Sequence, residues 1–219
     1  MNIVIFGAGA HSREIVEMVR ENESHHLLGY IDSVREIGTE FYGLPILGRQ
    51  ENLNELMAQH GNFGGVIALG DNYSRSVVSE TILAQQPDFQ FVNVISCHAH
   101  VRRDVVIGVG NVILPGCVVN TQCSIGNHTI INSNSTLEQN STMEDFSSLS
   151  SGVTTGSYVM LEKYAALALG VTVFDRVVIG ENTVVGSGAV VTKNLEKHSL
   201  YFGVPAKRIR ARKLDEPFL

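Results

Sequence analysis

The sequence predicts two units, an α/β domain with a small parallel sheet over residues 1–92 and an all-β solenoid of stacked parallel coils over residues 93–196. Three observations carry this. Short apolar runs alternate with helical segments as far as residue 92. From Ile95 onward the apolar residues recur at a strict spacing of six. After residue 196 the pattern stops and a basic segment, 197–219, closes the chain.

Asn2 to Phe6 is expected as a buried strand, running into the tight turn Gly7-Ala8-Gly9-Ala10-His11. Ser12 is expected to N-cap a helix extending to about Arg20, with Ile15, Val16 and Val19 on its inner face. Leu27 to Ile31 forms a second strand ending at Asp32, and Gly43 to Gly48 a short extended connection. Leu53 to Gln59 is helical, Gly65 to Leu69 a strand, and Tyr73 to Ala84 a helix. Strands and helices alternating at this size argue for a parallel sheet of the doubly wound type, and Phe91 to Ile95 leads into the first coil. The glycine turn is not a dinucleotide fingerprint, because Ser12 stands where the third glycine belongs, so NAD is disfavoured. Backbone N–H groups of Gly9 to His11 nonetheless open a helix, whose N-terminus favours an anion. Asp32, at the end of the second strand, could accept hydrogen bonds from a ribose or a base.

Stepping by six from Ile95 reaches Val101, Ile107, Ile113, Val119 and so on to Val191. Every member is aliphatic or Met except Thr155. A second row four residues behind, from Asn111 through Cys117, Cys123, Thr129 and Ser135 to Ala189, is small or β-branched almost throughout. Neither a helix of period 3.6 nor a half-buried strand of period 2 explains a repeat of six. A coil of three short flat faces does, with one hexad per face, a bulky residue inside and a small one near each corner. Such repeats cannot bury their apolar side alone and must stack.

Composition narrows the function. A net charge of −6 argues against nucleic acid, which rewards a basic face. Charged residues are scarce, at 17%, which suits a solenoid whose neutral walls are covered by neighbouring subunits. Three cysteines, an odd number without paired spacing, fit reduced thiols in the cytoplasm, and Cys117 and Cys123 fall in the small-residue row as packing. No His/Cys/Asp cluster has metal spacing, no stretch is long enough to span a membrane, and the apolar start lacks the basic segment of a signal peptide.

The hexad stretch, the Gly7-Ala8-Gly9-Ala10-His11-Ser12 turn, the Ala68-Leu69-Gly70-Asp71-Asn72 segment and the closing Gly203-Val204-Pro205-Ala206-Lys207 are together similar to one family. It is that of the hexapeptide-repeat nucleotide-sugar and sialic acid acetyltransferases, which includes the bacillosamine-pathway N-acetyltransferase. The resemblance covers essentially the whole chain. It implies a Rossmann-like first domain, a left-handed parallel β-helix, acetyl-CoA as acyl donor without a metal, and a homotrimer with the site between two subunits. It further implies that Gly9, Ala10, His11, Asp32, Gly70, Asp71 and Asn72 hold the nucleotide diphosphate of an activated amino sugar. Gly152, Gly156 and Ser157 would line the CoA groove, with Lys207 and Arg208 near its phosphates.

Family members usually deprotonate the nucleophile with a His that follows a Glu in a middle hexad. Asn132 and Glu138 match that pattern, but Gln139 stands where the His belongs and Ser148 replaces a second His nine residues on. Asn140 sits where an acidic partner often follows. Glutamine accepts no proton at any relevant pH. Three readings follow. Glu138, Gln139, Asn132 and Ser148 could serve N-acylation of a sugar amine, which needs less help from a base than a hydroxyl does. Another histidine, of which His128 is the only one inside the coils, could reach the site from a neighbouring chain or support O-acylation. The chain could also be a non-catalytic paralogue.

Overall fold

The computed structural model describes residues 1–23 and 25–217 and divides into two compact units, Met1–Val94 and Ile95–Leu219. The first contains β1 (Asn2–Phe6), α1 (Ala10–Asn22), β2 (His26–Ile31), β3 (Glu40–Phe41), β4 (Leu44–Gly48), α2 (Leu53–His60), β5 (Gly64–Ile67) and α3 (Asn72–Gln85). Its sheet runs β3-β4-β2-β1-β5, parallel throughout except for the β3–β4 hairpin at one edge. β1 lies inside the sheet, and Ile3, Val4 and Ile5 are fully buried, as expected of a parallel strand covered on both faces.

Three expectations are corrected here. α1 begins at Ala10, three residues before the start that a Ser12 N-cap implies. Gly9 is its N-cap, and the Ser12 hydroxyl, rather than capping, donates to the Gly9 carbonyl at 2.8 Å. The Gly43 to Gly48 connection contains a full strand of the sheet, because the tight turn at Tyr42 and Gly43 folds β3 back onto it. Phe91 bridges to Gly65 and so belongs to the first sheet, with the unit ending at Val94. Of the two turn glycines, the fold requires Gly7. It has φ +101°, and a Cβ there would meet the Leu69 side chain at 3.0 Å.

The second unit is a parallel β-helix. Two-residue strands recur every six residues, and each pairs with strands 18 residues away, as Val118–Val119 does with His100–Val101 and Thr136–Leu137. One turn is therefore three hexads, and the strands stack into three sheets. From Ile113 to Val191 every member of the six-residue row is buried, Thr155 included. The second row is buried just as completely, from Asn111 to Ala189. Its residues must be small because they fill the corners. Several of its polar members are satisfied by carbonyls of the next coil, as Ser135 Oγ is by Ser150 O at 2.8 Å and Cys117 Sγ by Asn132 O at 3.1 Å, while Ser147 Oγ donates to Glu144 O and Thr129 Oγ1 to Asn111 Oδ1.

Each corner also needs one left-handed residue. Positive φ recurs at every sixth position from Gly110 to Gly188, with glycine at some corners, Asn134, Asn140 and Asn182 at others, and aromatic residues at Phe146, Tyr158 and Tyr164. Stacking in register lines up one corner as a ring column: His128 lies on Phe146 at 5.1 Å and Phe146 on Tyr164 at 5.6 Å, nearly coplanar in both cases.

Part of the expected basic tail is structured. Ser199–Phe202 adds in parallel to the strand Val184–Val185 and turns back as an antiparallel hairpin to Lys207–Ala211. This last strand, Lys-Arg-Ile-Arg-Ala, is exposed along its length, and its charges protect a free sheet edge from further pairing.

Leu149 sits fully buried between Ile131 and Leu167 in adjacent rungs. Leu149→Ala should cost about 2–5 kcal/mol of unfolding free energy, read from urea denaturation, because a rigid stack cannot collapse into the gap.

Candidate functional site

Glu138 and Gln139 lie on one corner of the β-helix, immediately after the strand Thr136–Leu137. Glu138 is half-buried, and its Oε2 accepts a hydrogen bond from Asn120 Nδ2 at 3.1 Å, one rung away. Gln139 is exposed. Its backbone carbonyl accepts from Tyr158 N at 3.0 Å, and among the described residues its side-chain amide has no partner, so it projects free for a ligand.

The strand ladder is perturbed at this corner. From His100–Val101 to Val190–Val191, stacked strands match in both residues except Thr136–Leu137 against Thr154–Thr155, where only Thr136 and Thr154 pair. The Glu138 N–H donates instead to the Thr155 hydroxyl at 3.0 Å. Thr155 is the one residue of the interior row that is neither aliphatic nor Met, and its buried hydroxyl is used to hold the backbone of Glu138. Behind the same residue, Cys123 Sγ donates to the Glu138 carbonyl at 3.1 Å. Burial pushes the Cys123 and Cys117 thiols up, which leaves both as packing groups rather than nucleophiles.

Gly156 and Ser157 occupy the neighbouring rung of this corner, 18 residues on. Ser157 N donates to Asp175 Oδ1 at 2.7 Å, and a Cβ on Gly156 would lie 2.4 Å from that same oxygen. Arg176 caps the column with its guanidinium 4.6 Å from the Tyr158 ring centre. The single chain thus brings Glu138, Gln139, Gly156 and Ser157 together. It does not bring the other expected residues there. Asn132 lies one corner back, its Nδ2 donating to Leu149 O at 2.8 Å, and Gly152 lies on that same corner with its nitrogen on Ser133 O. Ser148 is buried on the outer side of a different sheet, alongside Ile130 and Ala166. Lys207 and Arg208 stand on the terminal hairpin, where Arg208 meets Ser199 Oγ at 3.0 Å and Glu196 at 3.4 Å. His128 is packed in its ring column, away from the Glu138 corner.

In the first unit the carboxyl ends of β1, β2 and β5 converge on a cavity of about 50 Å³ lined by Gly7, Asp32, Ser33, Gln50 and Leu69. Burial alone would raise the Asp32 carboxyl, but backbone N–H donors from Arg35, Ala8 and Val34, at 2.7–2.8 Å, outweigh it and hold it below the ordinary carboxylate range. Asp32 therefore ties the glycine turn to the loop after β2. Gly70, Asp71 and Asn72 open α3. Asp71 caps that helix through Ser74 N at 2.8 Å, and Asn72 Oδ1 accepts from Arg75 Nη2 at 2.8 Å. Arg75, fully buried, also donates to the carbonyls of Leu69 and Gly70. Burial, opposed by the charge of Asp71, draws its pKa down to about 9. At α1 the situation is the reverse: no side chain caps the helix, its first turn has no acid, and a Cβ on Gly9 would meet nothing within 4 Å. Ala10 and His11 follow directly. His11 Nε2 is buried without a hydrogen-bond partner, and burial followed by the charge of Arg75 lowers its imidazole to about 4.

The first unit is a Rossmann-like α/β domain and the second a left-handed parallel β-helix of hexad repeats, the fold combination of solved sugar acetyltransferases. The N-terminal domain of PglD matches residues 2–82. Over the whole chain the fold is similar to a histidine variant of perosamine N-acetyltransferase from Caulobacter crescentus, solved in complex with CoA and GDP-perosamine. The two share 27% identity with a TM-score of 0.89, covering 96% of this chain and 97% of that one. The acetyltransferase domain of PglB from Neisseria gonorrhoeae, in complex with acetyl coenzyme A, superposes with TM-score 0.86 at 22% identity, over 95% and 98% of the two chains. WeeI from Acinetobacter baumannii does so with the same TM-score and identity, over 95% and 100%. No curated protein sequence matches significantly. The first unit thus matches the PglD N-terminal domain, and over nearly its full length the chain is similar to a nucleotide-sugar N-acetyltransferase.

His11, half-buried with its Nε2 enclosed, makes stability depend on pH. Its folded pKa of about 4 lies below the roughly 6.5 of a free imidazole, so its contribution is complete above that range and is lost as pH falls towards 4. Urea titrations between pH 7 and 4 should show a loss of up to about 3 kcal/mol from this group, and His11→Gln should remove that part of the slope.

Proposed function

We propose that the protein transfers an acetyl or other short acyl group from CoA to the amine of a nucleotide-linked amino sugar. The observation that carries this is the match, over nearly the full length of both chains, to a sugar N-acetyltransferase crystallised with CoA and a nucleotide amino sugar. The α/β unit binds the nucleotide at the open start of α1 and the loop before α3. The β-helix binds CoA, with Gly152, Gly156 and Ser157 along its arm and Lys207 and Arg208 near its phosphates. Its free thiols suit the cytoplasm.

The neutral amine adds to the thioester carbonyl, Glu138 takes the proton that the nitrogen sheds, directly or through water, and the C–S bond breaks to release CoA as the thiol, while Asn120 and Thr155 fix the Glu138 carboxylate and backbone. Gln139, whose amide is free, orients the amine or the thioester carbonyl. A sugar amine has a lone pair in its neutral fraction, so positioning beside the thioester offsets part of the roughly 100- to 10,000-fold that a general base contributes. The logarithm of the rate at subsaturating sugar should rise with pH with slope near one and level at the amine's own pKa, with no break near 6.5. Gln139→His should raise the rate most at low pH, and Glu138→Gln should lower it if Glu138 is the acceptor. An inflection near 6.5 abolished by His128→Ala would transfer the role to a substitute histidine. Absence of turnover with every amino sugar tried, even in Gln139→His, would mark a non-catalytic paralogue.

The assembly proposed is a homotrimer with the site shared between subunits. Two of the three outer walls of the β-helix are exposed in the single chain and carry few charges, including Val106 at 67% and Met160 at 38% exposure. Light scattering at micromolar concentration should give three times the chain mass, and a monomer would reject the shared site.

A further inference from the structure

The first unit contains five arginines, Arg13, Arg20, Arg35, Arg49 and Arg75, and no lysine, whereas all five lysines of the chain lie in the second unit. Three of the five arginines have internal tasks. Arg20 pairs with Glu17 at 2.9 Å, Arg75 braces the start of α3, and Arg49 donates to the carbonyls of Asp32 and Arg35. Arg13 and Arg35 remain. Among the described residues neither forms an ion pair with a carboxylate, although acids outnumber bases in the chain by 22 to 16.

Both lie on one ring. The Arg35 guanidinium carbon is 3.8 Å from the centre of Phe41 and that of Arg13 is 5.1 Å from it, with Tyr42 6.0 Å from Arg13. Arg35 Nε donates to the Ala8 carbonyl at 2.8 Å, which sets its remaining N–H edge beside the glycine turn. Arg13 projects from the first turns of α1, whose N-terminus is uncapped. Stacking on an aromatic face fixes the plane of a guanidinium and leaves its N–H groups directed outwards, an arrangement that suits bidentate contact with phosphate and that lysine cannot reproduce. The neighbouring carboxylate, Asp32, attracts Arg35 through space but directs its oxygens to the backbone N–H groups of Ala8, Val34 and Arg35 and forms no ion pair with either guanidinium.

We propose that Arg13 and Arg35, mounted on Phe41, grip the phosphates of a nucleoside diphosphate at the Ala8-Gly9-Ala10 turn, and so act as affinity-determining residues for the sugar substrate. This rests on the nucleotide-sugar reading above and extends it to residues outside the glycine turn. The edge hairpin β3–β4 then has a purpose, since β3 carries the ring that holds both cations.

Calorimetric titration of the full chain with GDP, UDP and dTDP, with the matching nucleosides, and with CoA tests the proposal. Arg13→Ala and Arg35→Ala should each weaken diphosphate binding by roughly ten- to a hundredfold, leave CoA affinity unchanged, and flatten the loss of affinity with added salt. Arg35→Lys should recover little. Arg13→Gln and Arg35→Gln, which keep the stem against Phe41, should behave like the alanine variants and serve where those fold poorly, with an unchanged helical circular-dichroism signal and thermal unfolding transition as the control for the first unit, which contains all three α-helices. If the wild type binds a diphosphate and the Gln variants bind it equally well, the arginine pair is overturned while the nucleotide reading stands. If the variants lose nucleoside and diphosphate binding alike, the pair stacks on the base, and the phosphate grip is overturned. If the wild type binds none of the three diphosphates, the underlying reading falls as well.

Discussion

The second unit depends on one constraint: each rung of the β-helix must lie directly on the rung 18 residues away. Parallel strands stack about 4.8 Å apart, so any side chain inside the coil is in contact with its own counterpart above and below. This forces a uniform interior column, small residues at the corners and a left-handed residue in every turn. It also explains why polar groups at the corners, such as Ser135 and Cys117, are aimed at carbonyls one coil away. A buried hydroxyl in such a stack must be satisfied within the coil.

The same constraint makes the irregularity at Thr155 informative. A hydroxyl placed in the interior column costs burial of a polar group, and it is compensated by the Glu138 N–H. The ladder loses one matched pair, and in return the backbone of Glu138 is held at a corner whose neighbours are Asn120, Gly156 and Ser157. Departures from local regularity concentrate where function imposes a competing demand. Gln139 falls at the same corner, beside a carboxylate whose oxygen and backbone are both held by neighbouring coils.

The first unit is governed by a different balance. Two of its three helices, α1 and α3, begin just beyond the carboxyl ends of β1 and β5, but their N-termini are treated in opposite ways. At α3 the Asp71 carboxylate supplies the negative charge that the helix dipole favours, and the buried Arg75 fixes the loop before it. At α1 the chain leaves that charge out and arranges Arg13 and Arg35 nearby. Open helix ends and unmatched cations in a net acidic protein are compatible with stability because they are exposed and hydrated. They become consequential when an anion displaces that water.

The period of six, the burial of its two rows and the alternation of strands and helices in the first unit were all determined by the sequence alone. Each follows from residue type and spacing, which local sterics and solvent impose directly. Thr155 as the lone exception in the row was visible there too, but the link between Thr155 and Glu138 was not, because it joins residues on different coils. The start of α1 at Ala10, the β3–β4 hairpin and the closing hairpin at Lys207–Ala211 depended on tertiary pairing that a short, mixed segment does not signal. Only the tertiary structure decided that Asp32 and Asp71 are spent on backbone N–H groups, and that Arg13 and Arg35 share the face of Phe41. Hydrogen-bond partners and stacked pairs distant in sequence are set by how the chain closes in three dimensions, and no local pattern encodes that.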